Sequence, residues 1–205
     1  MSSAYESFDI WRVEMSRLFA KLAHHGQTRK WTGTPFSDHP IRVSKEVAMM
    51  SMRVEAVQAA ALHDVKEDSP KFFPLIHEEF GGEVSDLVSW LTRSSKGSKE
   101  PRARRKEMDR NHLAIAPLEV KVIKALDRLD NLREMGDAPE DFRFMYAEES
   151  RLLVEALNTA TPDGSPIYAR FQKILKMVLD ECNRITLYSA LEGAENSDNQ
   201  TSLLG

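Results

Sequence analysis

Residues 56–68 read AVQAAALHDVKED. Up to Leu62 the run is apolar and alanine-rich, which suits a buried helix, and from His63 it turns charged without losing helical propensity. A helix ending in His63, Asp64, Glu67 and Asp68 sets four ionisable groups at the edge of a core. There they must be paired, bound to metal or turned toward a wet cleft. At helical spacing Glu67 lies one turn above His63, and Asp68 one turn above Asp64. The stretch therefore predicts a first tier of imidazole and carboxylate and a second tier of two carboxylates. The plainer alternative is a solvated acidic cap on a helix end, and the stretch alone does not separate the two.

Working outward, period 3.6 recurs and period two is hard to find. Ile10, Trp11, Met15, Leu18, Phe19 and Leu22 make an apolar stripe that predicts a first helix from Phe8 to His24. The following stretch, HHGQTRKWTGTPFSDHP, is an irregular loop rich in Gly, Pro, Thr and Ser, and it holds His24, His25 and His39. Pro40 opens a second helix to about Met52, and the helix carrying His63 comes next. Ser69-Pro70 is a stop-and-start signal before a short helix to Phe80, closed by Gly81-Gly82. Val84–Leu91 is another helical stripe. Residues 94–110, SSKGSKEPRARRKEMDR, read as a basic surface loop running into a solvated helix, with a lid over an anionic substrate as the sharper alternative. Pro117 opens a helix with Val120, Val122, Ile123, Leu126 and Leu129 on its apolar face, ending near Gly136. Helices over 139–160 and 166–189 follow, separated by TPDGSP. The fold class is all-α: eight or nine helices in a single domain over 1–190, with a disordered tail over 191–205.

The chain has 205 residues, a net charge of −4 and one cysteine, Cys182. An internal disulfide framework is thereby excluded, and a reducing, cytoplasmic setting is expected. Neither a secretory signal nor a bilayer-length apolar run is visible, so no membrane association is expected. The acidic balance argues against general nucleic-acid binding.

A second charged knot lies in KVIKALDRLDNLRE, where Asp127, Asp130, Asn131 and Glu134 sit three and four apart in an otherwise apolar helix. Asp127 falls among core positions and is expected to point inward. An inward Asp and an inward His-Asp pair need each other or a cation. Two imidazoles and two carboxylates suit a divalent transition metal with open positions, and His39, in DHP, is a third source of ligands. Singly, each of these residues reads as a hydrogen-bonded core group.

The ordered motifs HHGQTRK, GTPFSDHP, ALHDVKED, FGGEVSDLV and KALDRLDNLR resemble the metal-dependent HD hydrolases of the RelA/SpoT type over about residues 10–160. They are most similar to the small single-domain alarmone hydrolases. The resemblance implies His39, His63, Asp64 and Asp127 as metal ligands, with Mn2+ the usual ion. It implies Glu67 and Asp68 as the acidic pair beside the hydrolytic water. Arg29 and Lys30 would flank the nucleotide base, Asn131 would lie near the phosphates, and Tyr146 would line the substrate. His24 and Gln27 match supporting residues. The implied reaction is removal of the 3′-pyrophosphate from guanosine tetra- or pentaphosphate. Alternatives are hydrolysis of another phosphorylated nucleotide, such as the 2′-phosphate of NADPH or a nucleoside phosphate, or a metal-bound interaction module without turnover. The oligomeric state stays open, a homodimer among the options.

The sequence departs from the family pattern at four places. Phe36 stands for a tyrosine, Lys66 for an aliphatic residue, Asp130 for a histidine or tyrosine, and Glu134 follows Arg133 where threonine is frequent. Lys66 is expected to point outward. Glu134 would repel a pyrophosphate unless Arg133 neutralises it. The departures touch the phosphate pocket and leave the implied catalytic set intact.

Overall fold

Alanine decides the centre of the molecule. In α3 (Val54–Leu62) every residue from Ala56 to Leu62 is buried, and four of those seven are alanines. Such a helix has almost no side-chain bulk, so others can approach it from several sides at once. In the computed structural model, α1 (Ser2–Ala23), α2 (Asp38–Met49), α6 (Gly82–Leu91) and α8 (Leu118–Arg133) all pack against it. The structure describes the backbone of residues 2–160 and 162–202, and the side chains of residues 8–160 and 162–187.

Around this centre the chain is all-helical. Residues 65–68 form the single turn α4 (Val65–Asp68), followed by a 3₁₀ turn (Pro70–Phe72) and α5 (Phe73–Phe80). Gly81, at φ 88°, ends α5 in a conformation that L side chains rarely adopt. Beyond α6 come α7 (Arg102–Ala114), α8, α9 (Glu140–Leu157) and α10 (Pro166–Ser202). Among the described residues the only β feature is an isolated bridge, Thr28 with Pro35, inside the loop that leads to His39. No described helix is long and apolar enough to cross a membrane. Among the described residues there are nine α-helices beside the single turn α4, in keeping with the expected eight or nine.

Two features of the helices were not legible in the linear chain, each for a physical reason. The apolar stripe of α1 does not face the core. Ser16, Ala20 and Ala23 are buried, Val13 and Phe19 are half-buried, and Ile10, Trp11, Met15, Leu18 and Leu22 are exposed. Against a bare alanine helix the close-packing partners are the small residues of α1, so its bulky face is left outside. The last helix also runs past 189. No proline follows Pro166, and the one glycine between it and Ser202, Gly193, costs a helix only about 1 kcal/mol. The disordered tail expected over 191–205 falls on residues whose side chains are not described, and 203–205 lie outside the described residues. The backbone is helical to Ser202.

The second layer is α10, which packs against α8 and α9 through Phe171, Leu175, Val178 and Cys182. Phe171 is fully buried, and its truncation leaves a cavity that helices tied from both ends cannot close. Phe171→Ala is expected to cost about 3–5 kcal/mol of unfolding free energy in urea titration, with an unchanged m-value.

Candidate active site

His39 enters from the first turn of α2, and a short loop fixes its approach. Gly26 and Gly33 take the left-handed conformations the loop turns require, at φ 79° and 69°. Gln27 pins the loop to the end of α4, its Nε2 donating to Ser69 Oγ at 3.0 Å, while its Oε1 meets His24 Nδ1 at 2.9 Å. Ser69 Oγ in turn donates to the Ala23 carbonyl at 2.6 Å. His24 and Gln27 therefore support the loop geometrically.

The helix read as continuous through His63 and Asp64 breaks at those two residues. His63 caps α3, and Asp64, at φ −90° and ψ −9°, precedes α4. Glu67 turns away from His63, and its carboxylate accepts from Arg93 Nε at 2.5 Å and from the Arg93 backbone N–H at 2.6 Å. Asp68 is left facing solvent with no such partner. Burial of its inner side, then Asp64 and Glu67, push its carboxyl pKa up to about 6. Lys66 turns away as expected, donating to Ser89 Oγ at 3.0 Å and lying over the Phe73 ring.

The four residues implied as ligands converge. His39 Nε2 lies 3.0 Å from Asp127 Oδ1 and 3.8 Å from Asp64 Oδ2, and His63 Nε2 lies 3.3 Å from Asp64 Oδ2 and 3.7 Å from Asp127 Oδ1. Three of the four side chains are held by their other polar atom. His63 Nδ1 donates to the Ala60 carbonyl at 2.8 Å, and His39 Nδ1 meets Asp130 Oδ2 at 2.6 Å. Asp127 Oδ2 accepts from Lys124 Nζ at 2.7 Å, and Asn131 Nδ2 donates to Asp127 Oδ1 at 2.6 Å. Such outer contacts fix the tautomer and orientation that a metal-binding imidazole needs. His63 Nε2 is buried with no hydrogen-bond partner. A buried imidazole nitrogen with its lone pair aimed at two carboxylates and a second imidazole fits a cation, and His39, His63 and Asp64 alone already offer three ligand atoms within 4.8 Å of one another.

The charges follow from this crowding. Burial opposes ionisation of Asp64, yet His63 and His39 hold its carboxyl well below the usual range. Burial likewise opposes Asp127, while Lys124, then His39 and His63, depress it. Burial lowers both imidazoles, but Asp127 and Asp130 raise His39 on balance, and Asp64 and Asp127 raise His63 well above its ordinary value. Without a cation, protons on the histidines balance the carboxylates.

Beside the cluster an open cleft of ≈ 250 Å³ brings together Arg29, Lys30, Asn131 and Tyr146. Arg29 Nη2 donates to Asn131 Oδ1 at 2.6 Å, which joins the cleft to Asp127. The cleft's aromatic wall, in which Trp31 meets Phe142 at 5.4 Å and Phe142 meets Tyr146 at 5.9 Å, was not legible in the linear chain. Glu134 is neutralised, though not by Arg133. Arg133 is exposed and reaches Glu181, whereas Glu134 accepts from Arg29 Nε at 2.9 Å and from Arg42. Arg133 points off the helix face that Glu134 shares with Asp130 and Asn131. Asp130 takes a bidentate pair from Arg42 at 2.8 and 2.9 Å, so this departure orients His39. Lys124, Arg42 and Arg93 escaped the sequence reading. For Lys124 the i,i+3 spacing to Asp127 was an available signal.

Residues 16–162 match the HD domain family, and the chain belongs to it. Its relatives are of the RelA/SpoT type. The guanosine-3′,5′-bis(diphosphate) 3′-pyrophosphohydrolase of Haemophilus influenzae is 33% identical over 80% of this chain and 26% of its own length. The bifunctional (p)ppGpp synthase/hydrolase SpoT of Escherichia coli is 34% identical over 69% of the chain and 20% of its own. This chain thus spans about a quarter or less of these two relatives. Among solved structures, a metazoan ortholog of SpoT that hydrolyses ppGpp superposes with a TM-score of 0.69 at 26% identity, covering 84% of this chain and 94% of that one.

The histidine shifts carry a sign. A raised folded-state pKa contributes stability that is complete below the ordinary histidine value of 6.5 and is lost as pH climbs through the raised values. Protein treated with a chelator is therefore expected to melt at progressively lower temperature as pH rises from about 6.5. The depressed carboxylates act only in acid and leave this window alone. A chelated protein whose Tm rises over the same interval would contradict the balance of charges described here.

Proposed function

We propose that this chain is a metal-dependent phosphohydrolase that removes the 3′-pyrophosphate from guanosine tetra- or pentaphosphate in the cytoplasm. The observation that carries the reading is the unpartnered, buried His63 Nε2 facing His39, Asp64 and Asp127 beside a nucleotide-sized cleft. His39, His63, Asp64 and Asp127 would hold a divalent cation, Mn2+ by family resemblance. When bound, the cation supplies Lewis-acid polarisation of a phosphoryl oxygen and a lower pKa for water.

The remaining roles fall to the chain's own side chains. Asp68, exposed at the edge of the cluster and without an ion-pair partner, would serve as the general base. Glu67 acts beside it while anchoring Arg93. Arg29 and Asn131, joined to each other and to Asp127, set the distance between the nucleotide and the cluster. Lys30, over the Trp31 ring at 4.2 Å, and Tyr146 frame the base. The relatives named as guanosine 3′-pyrophosphohydrolases support the substrate class. An aromatic wall grips any purine face, which keeps NADPH and nucleoside phosphates as the second reading.

Chromatography of guanosine 3′-pyrophosphates, NADPH and nucleoside phosphates after incubation with Mn2+ tests the substrate. Release of pyrophosphate from the guanosine compounds is expected, and cleavage of NADPH alone would transfer the proposal to the second reading. Purified protein is expected to retain a divalent metal by elemental analysis, and His63→Ala to lose it; full occupancy in that variant would refute the ligand set. Asp68→Asn is expected to keep the metal and the fold and to lose about 10²–10⁴ in kcat. Near-normal turnover in Asp68→Asn would remove Asp68 from the mechanism.

A further inference from the structure

Arg128 is a buried cation without a counter-ion. The residue is 8% exposed, and its Nε has no partner. Its remaining contacts are neutral: Nη1 donates to Ser150 Oγ at 3.3 Å, and the guanidinium lies over the Tyr146 ring at 4.2 Å. Among the described residues no carboxylate comes within ion-pair distance of it, since the nearby Glu149 is taken by Arg102 at 2.7 Å and by Lys106 at 3.7 Å. Buried charges persist only when something compensates them.

Arg128 lines a cavity behind the metal cluster, together with Arg93, Lys106, Arg110 and Lys124. Against these cations stand Glu149 and Asp109, and the Asp109 carboxylate is occupied by Ser94 and Ser95. Burial, then Arg128, lowers the Lys106 pKa, as expected where like charges converge in poor solvent. The open space at the centre is ≈ 60 Å³, room for several waters or one tetrahedral oxyanion and too little for a nucleoside.

We propose that this cavity is a binding site for one phosphate-class oxyanion, supplied either as free orthophosphate or as a terminal phosphoryl group of a nucleotide. Guanidinium and ammonium donors converging from α7 and α8 match tetrahedral oxygens. The site is wired to the cluster through Lys124, which lines the cavity while donating to Asp127, and to the acidic pair through Arg93, which Glu67 holds. An anion here pulls on the same ammonium that orients a cluster carboxylate.

The test titrates orthophosphate into metal-loaded and into chelated protein, with binding read by calorimetry. Saturable binding is expected in both, weakened by roughly tenfold or more in Lys106→Gln/Arg110→Gln, two half-buried positions whose loss leaves Arg128 and the core in place. Binding that disappears on chelation, or that is unchanged in the double variant, overturns the proposal. The two sources separate in turnover. A raised KM for the guanosine substrate with kcat kept marks a nucleotide-borne phosphoryl group, and an unchanged KM with orthophosphate binding lost marks the free anion. Because binding is read without turnover, a protein that takes orthophosphate yet cleaves no guanosine nucleotide fails the proposed function and keeps this site.

A second inference comes independently from the outer face of α1. Phe8, Trp11, Met15, Leu18 and Leu22 recur at alternating spacings of three and four and are 58, 57, 38, 56 and 61% exposed. That spacing is the seam two helices bury at a shallow crossing angle. We infer that its occupant is α1 of a second copy, running antiparallel. In that register Trp11 meets the partner's Leu22, Met15 meets the partner's Leu18, and exposed Glu14, paired through Oε1 with Arg17 of its own helix at 2.6 Å, also meets the partner's Lys21, each pair formed twice. Sedimentation equilibrium is expected to show a dimer that Leu18→Glu dissociates and Glu14→Lys weakens, with Lys21→Glu restoring the Glu14→Lys variant. A monomer at every concentration, or a dimer blind to Leu18→Glu, overturns the interface; failure of the charge swap to restore it overturns the register.

Discussion

Everything near the centre of this protein depends on compensating buried carboxylates. Asp64, Asp127 and Asp130 crowd around His39 and His63 at the meeting point of α2, α3 and α8. Such a cluster is stable only with positive charge in its midst, whether protons on the imidazoles or a cation between them. The surrounding contacts leave the inward atoms available. The Ala60 carbonyl takes one histidine nitrogen, Asp130 takes another, and Lys124 takes one Asp127 oxygen. Arg42 then fixes Asp130 from behind, so the orientation of His39 is braced through two successive shells of contact.

The bundle makes this crowding geometrically feasible. An alanine helix at the centre lets α2 and α8 come close enough for residues 39 and 127 to face each other across 3.0 Å. Past Leu62 the backbone stays right-handed through His63 and Asp64, and Glu67 on the short turn that follows reaches Arg93. Asp68 is the one member of the acidic pair free of a guanidinium partner, and burial, Asp64 and Glu67 raise its carboxyl pKa.

Charge is divided between the two sides of the cluster. On the cleft side Arg29 is matched by Glu134, which also takes Arg42, itself paired with Asp130. On the far side Arg128 has no anionic partner among the described residues and shares its cavity with Lys106 and Arg110. The cleft thus presents Lys30, aromatic surface and hydrogen-bonding groups, while a further group of cations lies beyond Lys124. A polyanion entering the cleft approaches that potential from the front.

The sequence by itself determined the all-helical class, the order of the helices and the set of residues that meet at the cluster. Period 3.6 and Gly/Pro punctuation are local signals, and a charged His-Asp pair ending an apolar run has few stable environments. Family resemblance placed Arg29, Lys30, Asn131 and Tyr146 around one cleft before their distances were known. Only the tertiary structure decided which face of α1 is buried, because periodicity marks a bulky stripe but not whether a neighbour is smooth enough to demand small residues. It alone decided that Arg29 and Arg42, rather than adjacent Arg133, neutralise Glu134, pairs separated by 105 and 92 positions in the chain. It alone divided the acidic pair, since Glu67 turned on Arg93, 26 residues away. Ion pairs are chosen by proximity in space, and in a bundle of helices that proximity is set by packing across the whole chain.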